Sequence, residues 1–278
     1  MKTQTSVAGR RKKSPVTAAK SLARTIGIRR ARLASVRMCC ERNVLATVRR
    51  PGPLRSRILC YHSVGTPEWG VNDVSPAQFR KHIELALREG YHFVPADTIA
   101  RGESSEKDLA ITFDDGLASV ANAMPILASY QVPWTLFAVS GWADEPGTWG
   151  AGVMMDWAGI QRAAAAGAQI GSHSVSHPNF AHLSAEAAEL ELRASREAIT
   201  RRIGVTPSTF AIPLGQSGNW SPRDQAAALA AGYTHIYAQS ETRRAAGTVP
   251  RTFTTRWDTD RVFRAALTGK FEGWEEWA

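Results

Sequence analysis

Short apolar runs alternate with longer helical patterns along most of this chain. Each apolar run is bounded by polar or turn-forming residues, which is typical of a buried strand. The runs predict strands at residues 58–61, 109–113, 134–139, 169–171, 208–212 and 234–238. Helical spacing predicts helices at residues 75–90, 118–130, 156–166, 184–202 and 221–231.

This regular alternation of strand and helix determines the expected fold class. Strands joined by helical crossovers run parallel, so the chain is expected to be α/β, either an open doubly wound sheet or a barrel. In both architectures the functional residues gather at the carboxyl ends of the strands. Polar chemistry should therefore follow directly after the apolar runs.

The N-terminal part of the chain has a different composition. Residues 1–57 hold 16 of the 34 Lys and Arg but only one of the 25 acidic residues, so the net charge of +9 comes from this part. The turn sequence at 51–53 separates a basic arm, residues 1–54, from the predicted domain, residues 55–278. We expect the arm to be disordered or helical and to take no part in catalysis.

The arm's charge and lack of a long apolar run limit its roles. It is too polar to span a membrane or to serve as a secretory signal, so a cytoplasmic or peripheral membrane location is expected, with an extracellular one left open. Residues 1–50 suit contact with an anionic surface. Nucleic-acid binding through the arm is a rival hypothesis, and we do not favour it.

The first polar cluster follows the apolar run 109–113. Asp114, Asp115 and Gly116 stand directly after it. Such a triplet is often only a turn, because Asp bonds to nearby backbone and Gly accepts a positive φ. As a site, the two adjacent carboxylates point in different directions, so one is able to bind a metal while the other faces a reacting water.

The second cluster follows the run 169–171. His173 and His177 lie four residues apart, a spacing that lets two imidazoles meet one metal. Hydroxyl groups nearby would also satisfy two structural histidines. Together with Asp115 the pair gives two nitrogens and one carboxylate, which leaves open positions as catalytic zinc requires. A third segment, 210–215, runs from a strand into a Pro-Leu-Gly turn, whose use would be to present a backbone N–H to an oxyanion.

These motifs in this order resemble the polysaccharide deacetylase family, also called carbohydrate esterase family 4 or the NodB-homology domain. Residues 112–116 match its first motif and residues 173–178 its second, and the likeness extends from about residue 58 to 268. The resemblance implies a distorted (β/α) barrel, a divalent metal that is commonly zinc, and removal of N-acetyl groups from aminosugars. It implies Asp115, His173 and His177 as metal ligands and Asp114 as catalytic base.

The chain departs from the common family pattern in two places. Ala211 and Leu214 stand where many members have Arg and Tyr, and no late Leu-x-x-His stretch supplies an acid. The third motif looks instead like the circularly permuted, poly-N-acetylglucosamine deacetylase-like branch. That likeness implies His62 as the acid, Arg251 as the residue that orients the base, and the Leu214 N–H as oxyanion donor. Arg256 and Asp258 are competitors of Arg251.

The predicted partner is therefore an N-acetylated poly- or oligosaccharide, and aromatic side chains are candidates for stacking on its rings. Trp220 and Trp257 are the predicted substrate-binding residues, from a set of loop tryptophans that also includes Trp69, Trp142 and Trp149. Two rivals remain open. One is an amidase or deformylase that acts on a lipid-linked sugar or small amide with the same site, and the other is an inactive carbohydrate-binding protein.

Overall fold

The computed structural model describes residues 30–239 and 243–275. Its strands are β1 (Arg57–Tyr61), β2 (Ser63–Val64), β3 (Asp73–Val74), β4 (His92–Phe93), β5 (Asp108–Phe113), β6 (Trp134–Ala138), β7 (Ala168–Ser172), β8 (Thr209–Ala211), β9 (His235–Tyr237) and β10 (Thr252–Phe253). Its helices are α1 (Arg30–Val48), α2 (Pro76–Arg88), α3 (Ala96–Ala100), α4 (Met124–Ser129), α5 (Ser140–Asp144), α6 (Trp157–Ala165), α7 (Ala185–Ile203), α8 (Pro222–Ala230) and α9 (Asp260–Leu267). Short 3₁₀ turns occur at Pro67–Asn72, Ala118–Asn122, Pro146–Trp149, Phe180–His182 and Ser217–Asn219.

In the described part of the chain, eight strands form one parallel sheet in the order β10-β1-β5-β6-β7-β8-β9, with β4 paired to β5. The segment after β9 connects the two ends of this order. Val249 forms a parallel bridge with Tyr237 of β9, and Thr252 then pairs with Leu59 of β1. The sheet therefore curls into the distorted (β/α) barrel that the sequence predicted.

Alternation along each strand divides the core into an inner and an outer layer. Ile58 and Ala110 pack with Phe137, Ala211 and Tyr237 in one cluster, to which β1, β5, β6, β8 and β9 each give a side chain. The intervening strand residues pack instead in the larger cluster that also contains the buried side chains of α2, α4 and α6. Small side chains are needed inside, because a Cβ added at Gly171 would lie 2.5 Å from the ring of Phe137.

Local signals explain where the crossover helices begin. The Ser75 side chain accepts a hydrogen bond from Gln78 N, and Pro76 occupies the first turn of α2. Ser221 and Asp224 form a reciprocal capping box at the start of α8. These caps satisfy backbone N–H groups that have no partner inside the helix, so they fix the helix starts near the predicted positions.

The structure differs from the predicted elements at residues 118–130. A single helix was expected there, but a 3₁₀ turn precedes the short helix α4. Pro125 has no N–H to continue a preceding helix and is suited to a first turn, so α4 starts anew beside it. The two-residue strands β2, β3, β4 and β10 were not predicted, because two residues carry no periodic signal.

The chain divides into two compact units, residues 1–41 and residues 42–278. The second unit begins at Arg42, while the boundary predicted at residue 54 stays a prediction. Within this unit, Nε and Nη2 of Arg42 donate to the two carboxylate oxygens of Asp258 at 2.9 and 2.6 Å, and both side chains are buried. Arg42 also lies over the Phe271 ring, with its guanidinium carbon 4.3 Å from the ring centre.

Within the first unit, the described residues 30–41 belong to α1. Residues 1–29, the rest of the expected arm, lie outside the described residues. The predictions that this part is disordered and that it contacts an anionic surface concern those residues. None of the described helices combines the length and the apolar character needed to cross a bilayer.

Candidate active site

The carboxyl ends of the barrel strands surround one open cavity of ≈ 270 Å³. Polar residues that follow different strands line it together, as the parallel arrangement predicts. The lining includes His62 after β1, Asp114 and Asp115 after β5, His173 and His177 after β7, Leu214 after β8, and Arg251 before β10. Every catalytic and metal-binding residue predicted from the sequence therefore lies at this cavity.

Asp115, His173 and His177 converge on one point in the cavity. Oδ1 of Asp115 lies 3.5 Å from Nε2 of each histidine, and one ligand atom from each of the three residues lies within 4.8 Å of the others. The two imidazole rings are 4.8 Å apart and nearly perpendicular. This is the geometry of side chains that share a small common ligand.

Two further observations fit a metal ion at this point. Oδ1 of Asp115 is buried and accepts no hydrogen bond from the described residues, a costly state for a carboxylate oxygen unless a cation meets it. The other ring nitrogen of His173, Nδ1, lies 2.8 Å from the Ala211 carbonyl oxygen, to which it donates as N–H. That hydrogen bond leaves Nε2 with its lone pair facing the cavity, as metal ligation requires.

Burial and charge act differently on the two histidines. Burial and the neighbouring His173 lower the pKa of His177 to about 4. Burial would also lower the pKa of His173, but the carboxylates of Asp114 and Asp115 outweigh burial and raise it. The two carboxylates thus make the cavity beside His173 favourable for a positive charge such as a metal cation, whereas His177 stays neutral.

The backbone around the ligands is held in the left-handed region. Asp115, Ser174 and His177 have φ values of 73°, 70° and 57°, uncommon for residues other than glycine. The Ser174 hydroxyl accepts a hydrogen bond from His177 N at 2.9 Å, which stabilises the turn between the two histidines. Such conformations persist where the surrounding structure holds them, and they concentrate at functional sites.

Asp114 is held by a buried arginine. Nη1 and Nη2 of Arg251 donate to the two carboxylate oxygens of Asp114 at 2.6 and 2.8 Å, and Arg251 also donates to Thr112 Oγ1 and the Ala238 carbonyl. Burial would raise the pKa of Asp114, but Arg251 and then His173 outweigh burial and hold that pKa below its usual range. Asp114 is therefore an ionised carboxylate in a fixed orientation.

The two competitors proposed for the place of Arg251 have other partners. Arg256 donates to the carbonyls of Pro67 and Gly70 at 3.3 Å. Asp258 binds Arg42, as described above. Neither residue lines the cavity.

Sequence reasoning missed Cys60, which lies directly behind Asp114. Its Sγ is 3.4 Å from Asp114 Oδ2, and burial raises the pKa of the thiol well above its ordinary value, so the thiol stays protonated and donates to the carboxylate. The signal was present in the sequence. Cys60 lies on β1 two residues before His62, which directly follows the strand, so alternation directs both side chains to the same side.

His62 and Leu214 lie on the cavity wall. The ring of His62 meets the ring of Phe253 edge-on at 5.4 Å, and its Nδ1 is buried without a hydrogen-bond partner among the described residues. Leu214 has a φ of 64°, and its side chain is 42% exposed at the cavity rim. The following turn is fixed by a hydrogen bond from Gln239 N to Gly215 O at 2.9 Å.

Glu191 of α7 is a second residue that the sequence did not reveal. Its carboxylate accepts hydrogen bonds from the backbone N–H groups of Val175 and Ser176 at 2.8 and 2.9 Å, and from the Ser176 hydroxyl at 2.7 Å. It therefore holds the loop that separates the two histidines. No motif marks Glu191, because its partners come from a different element.

Trp220 and Trp257, the two predicted substrate-binding residues, are not among the residues that line the cavity. Trp220 is buried in a core cluster, where its ring lies 5.0 Å from Phe180 and 5.6 Å from Phe210. Trp257 is partly exposed beneath the Arg256 guanidinium and does not line the cavity. Of the other tryptophans in the predicted set, Trp69 lines the cavity and Trp142, which lies in α5, stacks on His177 at 5.3 Å.

Several known proteins are similar to this chain. A family model described as polysaccharide deacetylase matches residues 101–236. A chitooligosaccharide deacetylase of Rhizobium leguminosarum bv. trifolii is 25% identical over 137 residues, which cover 48% of this chain and 57% of that protein. The chain thus matches little more than half the length of this curated relative.

Solved structures share the fold at low sequence identity. The deacetylase PplD of Streptococcus pyogenes, in complex with acetate, is 18% identical with a TM-score of 0.67, covering 78% of this chain and 99% of that one. IcaB from Ammonifex degensii is 20% identical with a TM-score of 0.64, covering 77% and 98%. A de-N-acetylase from Aggregatibacter actinomycetemcomitans is 22% identical with a TM-score of 0.63, covering 74% and 96%.

The family model spans both carboxylates and both histidines that converge in the cavity, and the solved structures share the fold of this chain. On the motifs, their geometry and these matches, the chain is similar to the polysaccharide deacetylase family, whose model matches residues 101–236.

Proposed function

We propose that this protein is a metal-dependent hydrolase that removes N-acetyl groups from an aminosugar-containing poly- or oligosaccharide. The observation that carries the proposal is the placement of an ionised, arginine-bound Asp114 beside the convergent Asp115, His173 and His177. A base next to three such ligands is the arrangement that amide hydrolysis by an activated water needs. The chitooligosaccharide deacetylase among the relatives supports this substrate class.

The proposed roles follow from where the side chains lie. Asp115, His173 and His177 would hold the metal, for which two imidazoles and one carboxylate favour zinc. A bound divalent metal supplies Lewis acidity and lowers the pKa of water. Asp114 takes the proton from the attacking water, and Arg251 keeps its carboxylate in place through two hydrogen bonds.

Two further groups complete the proposed mechanism. The Leu214 N–H would donate to the oxyanion of the tetrahedral intermediate. His62, whose ring nitrogen lies within 4.8 Å of an Asp114 carboxylate oxygen, would protonate the departing sugar nitrogen so that it leaves as an amine. In this assignment the acid comes from the first strand of the sheet and the base from its neighbour, β5.

Acetate release tests the proposal. Zinc-reconstituted protein should release acetate from chitooligosaccharides or poly-N-acetylglucosamine, and Asp114→Asn should abolish release while the partly exposed Asp260→Asn retains it. Release at the wild-type rate by Asp114→Asn would contradict the proposal. Faster formate release from N-formyl analogues would instead indicate a deformylase.

His62→Ala tests the acid separately. Loss of a general acid should lower kcat by roughly a hundredfold for an acetamide substrate whose amine is a poor leaving group. An acyl derivative with a leaving group that needs no proton should restore most of the rate. Equal loss with both substrates would show that His62 is not the acid.

A further inference from the structure

Three tryptophans form a continuous aromatic surface beside the cavity. Trp142 stacks on the imidazole of His177 with ring centres 5.3 Å apart, and the Trp149 ring meets Trp142 edge-on at 5.2 Å. Trp149 also meets Trp69 edge-on at 6.1 Å, and Trp69 itself lines the cavity. Two ring contacts therefore connect the indole of Trp149 to a predicted metal ligand.

The indole rings of Trp69, Trp142 and Trp149 differ in their exposure to solvent. Trp69 and Trp142 are half-buried and pack against the main hydrophobic core, whereas Trp149 is 51% exposed. An exposed indole in water is unfavourable and is usually mobile, but this one is supported by two anchored rings. A ligand that stacks on Trp149 thus loses little free energy to ordering the side chain.

The three side chains come from three separate segments. Trp69 lies in the Pro67–Asn72 turn, Trp142 in α5, and Trp149 in the Pro146–Trp149 turn. The turn that carries Trp69 is held from the other side by Arg256, whose N–H and guanidinium donate to carbonyls of Val71, Pro67 and Gly70. The aromatic surface is therefore assembled from one helix and two turns, and Trp69 connects it to the cavity wall.

We propose that Trp149, supported by Trp69 and Trp142, is a stacking subsite for a sugar ring next to the one that loses its acetyl group. This proposal rests on the function proposed above. The apolar face of a pyranose suits a flat indole, and the position of Trp149 outside the cavity suits a neighbouring unit of the same chain. The preferred substrate is then an oligo- or polysaccharide of at least two units, and the monomer is a poor one.

Trp149→Ala tests the subsite, with Trp149→Phe as the variant that keeps a ring and Trp257→Ala as a matched control at another exposed tryptophan. Calorimetry with a chitooligosaccharide measures binding, and acetate release measures kcat/KM for the oligosaccharide and for monomeric N-acetylglucosamine. Trp149→Ala should lower oligosaccharide affinity and kcat/KM by about tenfold. The monomer's kcat/KM should stay unchanged, and Trp149→Phe should recover most of the loss.

Binding and acetate release separate the two proposals. Weaker binding by Trp149→Ala, without acetate release by any variant, would support the subsite and contradict the deacetylase. Normal acetate release with no effect of Trp149→Ala would overturn the subsite and leave the deacetylase intact. An equal loss for monomer and oligosaccharide, or for Trp257→Ala, would also overturn the subsite.

Discussion

Arg251 binds Asp114 through two parallel hydrogen bonds across 137 positions of sequence, and both side chains are buried. A guanidinium matches the two oxygens of a carboxylate in one plane, whereas an ammonium offers a single point of charge. The orientation of the proposed base therefore depends on a residue that precedes the last strand.

Arg251→Lys should retain the positive charge but lose the paired geometry. We expect kcat for acetate release to fall at least roughly tenfold, with KM and zinc content little changed, because only the base is misaligned. Steady-state kinetics and metal analysis measure this. Arg264→Lys, at a half-exposed arginine paired with Glu89, is the control for the substitution itself. A rise in KM with unchanged kcat would contradict the positioning role.

Glu191→Gln should weaken metal binding without altering a proposed ligand. Its carboxylate fixes the loop between His173 and His177, and loss of such an outer contact typically lowers metal affinity about 10–100-fold. Competition with a chelator measures the affinity for Zn²⁺. Glu189→Gln, two residues away on the exposed side of the same helix, should have no effect. Equal affinities for both variants would show that the loop needs no such support.

Arg42→Met should destabilise the protein although Arg42 is far from the proposed chemistry. Removal of one partner leaves the Asp258 carboxylate buried and unpaired, which costs about 3–5 kcal/mol in the free energy of unfolding. Urea unfolding measures this. Arg37→Met breaks an exposed ion pair with Glu41 on the same helix and should cost only about 0–1 kcal/mol.

The double variant Arg42→Met, Asp258→Asn sharpens this test. It leaves no unpaired buried charge, so its destabilisation should be smaller than the sum of the two single effects. A strictly additive result would show that the two side chains do not stabilise the protein as a pair.

His82 should make stability depend on pH. Burial lowers its pKa from the ordinary value of 6.5, although Asp258 and Asp260 oppose this and Arg42 assists it. Above pH 6.5 the imidazole is neutral in the folded and the unfolded chain, so it does not make the free energy of unfolding depend on pH. As pH falls below 6.5, the unfolded chain binds a proton that the folded chain resists, so the free energy of unfolding decreases.

Urea unfolding at about pH 7.5 and about pH 5.5 should therefore show a smaller loss of stability for His82→Gln than for the wild type. Glutamine keeps one acceptor for the Tyr61 hydroxyl, which lies 3.0 Å from His82 Nδ1, and one donor for the Asp258 carbonyl at 3.1 Å. An equal loss of stability between the two pH values in both proteins would show that groups other than His82 cause the pH dependence.

The alternation of strands and helices predicted an α/β fold, and the family resemblance implied that it is a barrel. The central residues of the site were predictable from the sequence for a physical reason. Asp114 and Asp115, like His173 and His177, stand in contiguous segments directly after a strand, so spacing along the chain reports their position in space. Glu191, the Trp149 surface and the Arg42–Asp258 pair join residues from separate elements. Their meeting depends on helix packing and loop conformation, which no local pattern of side chains records.

The parallel pairing of β10 with β1 also has a consequence for synthesis. Asp114 leaves the ribosome 137 residues before the cation that neutralises it. During that interval a closed barrel would enclose an uncompensated carboxylate, which strongly disfavours closure. Closure at the β1 edge is therefore more favourable once Arg251 is present, and a product truncated before residue 251 would carry the ligand residues without the partner of the proposed base.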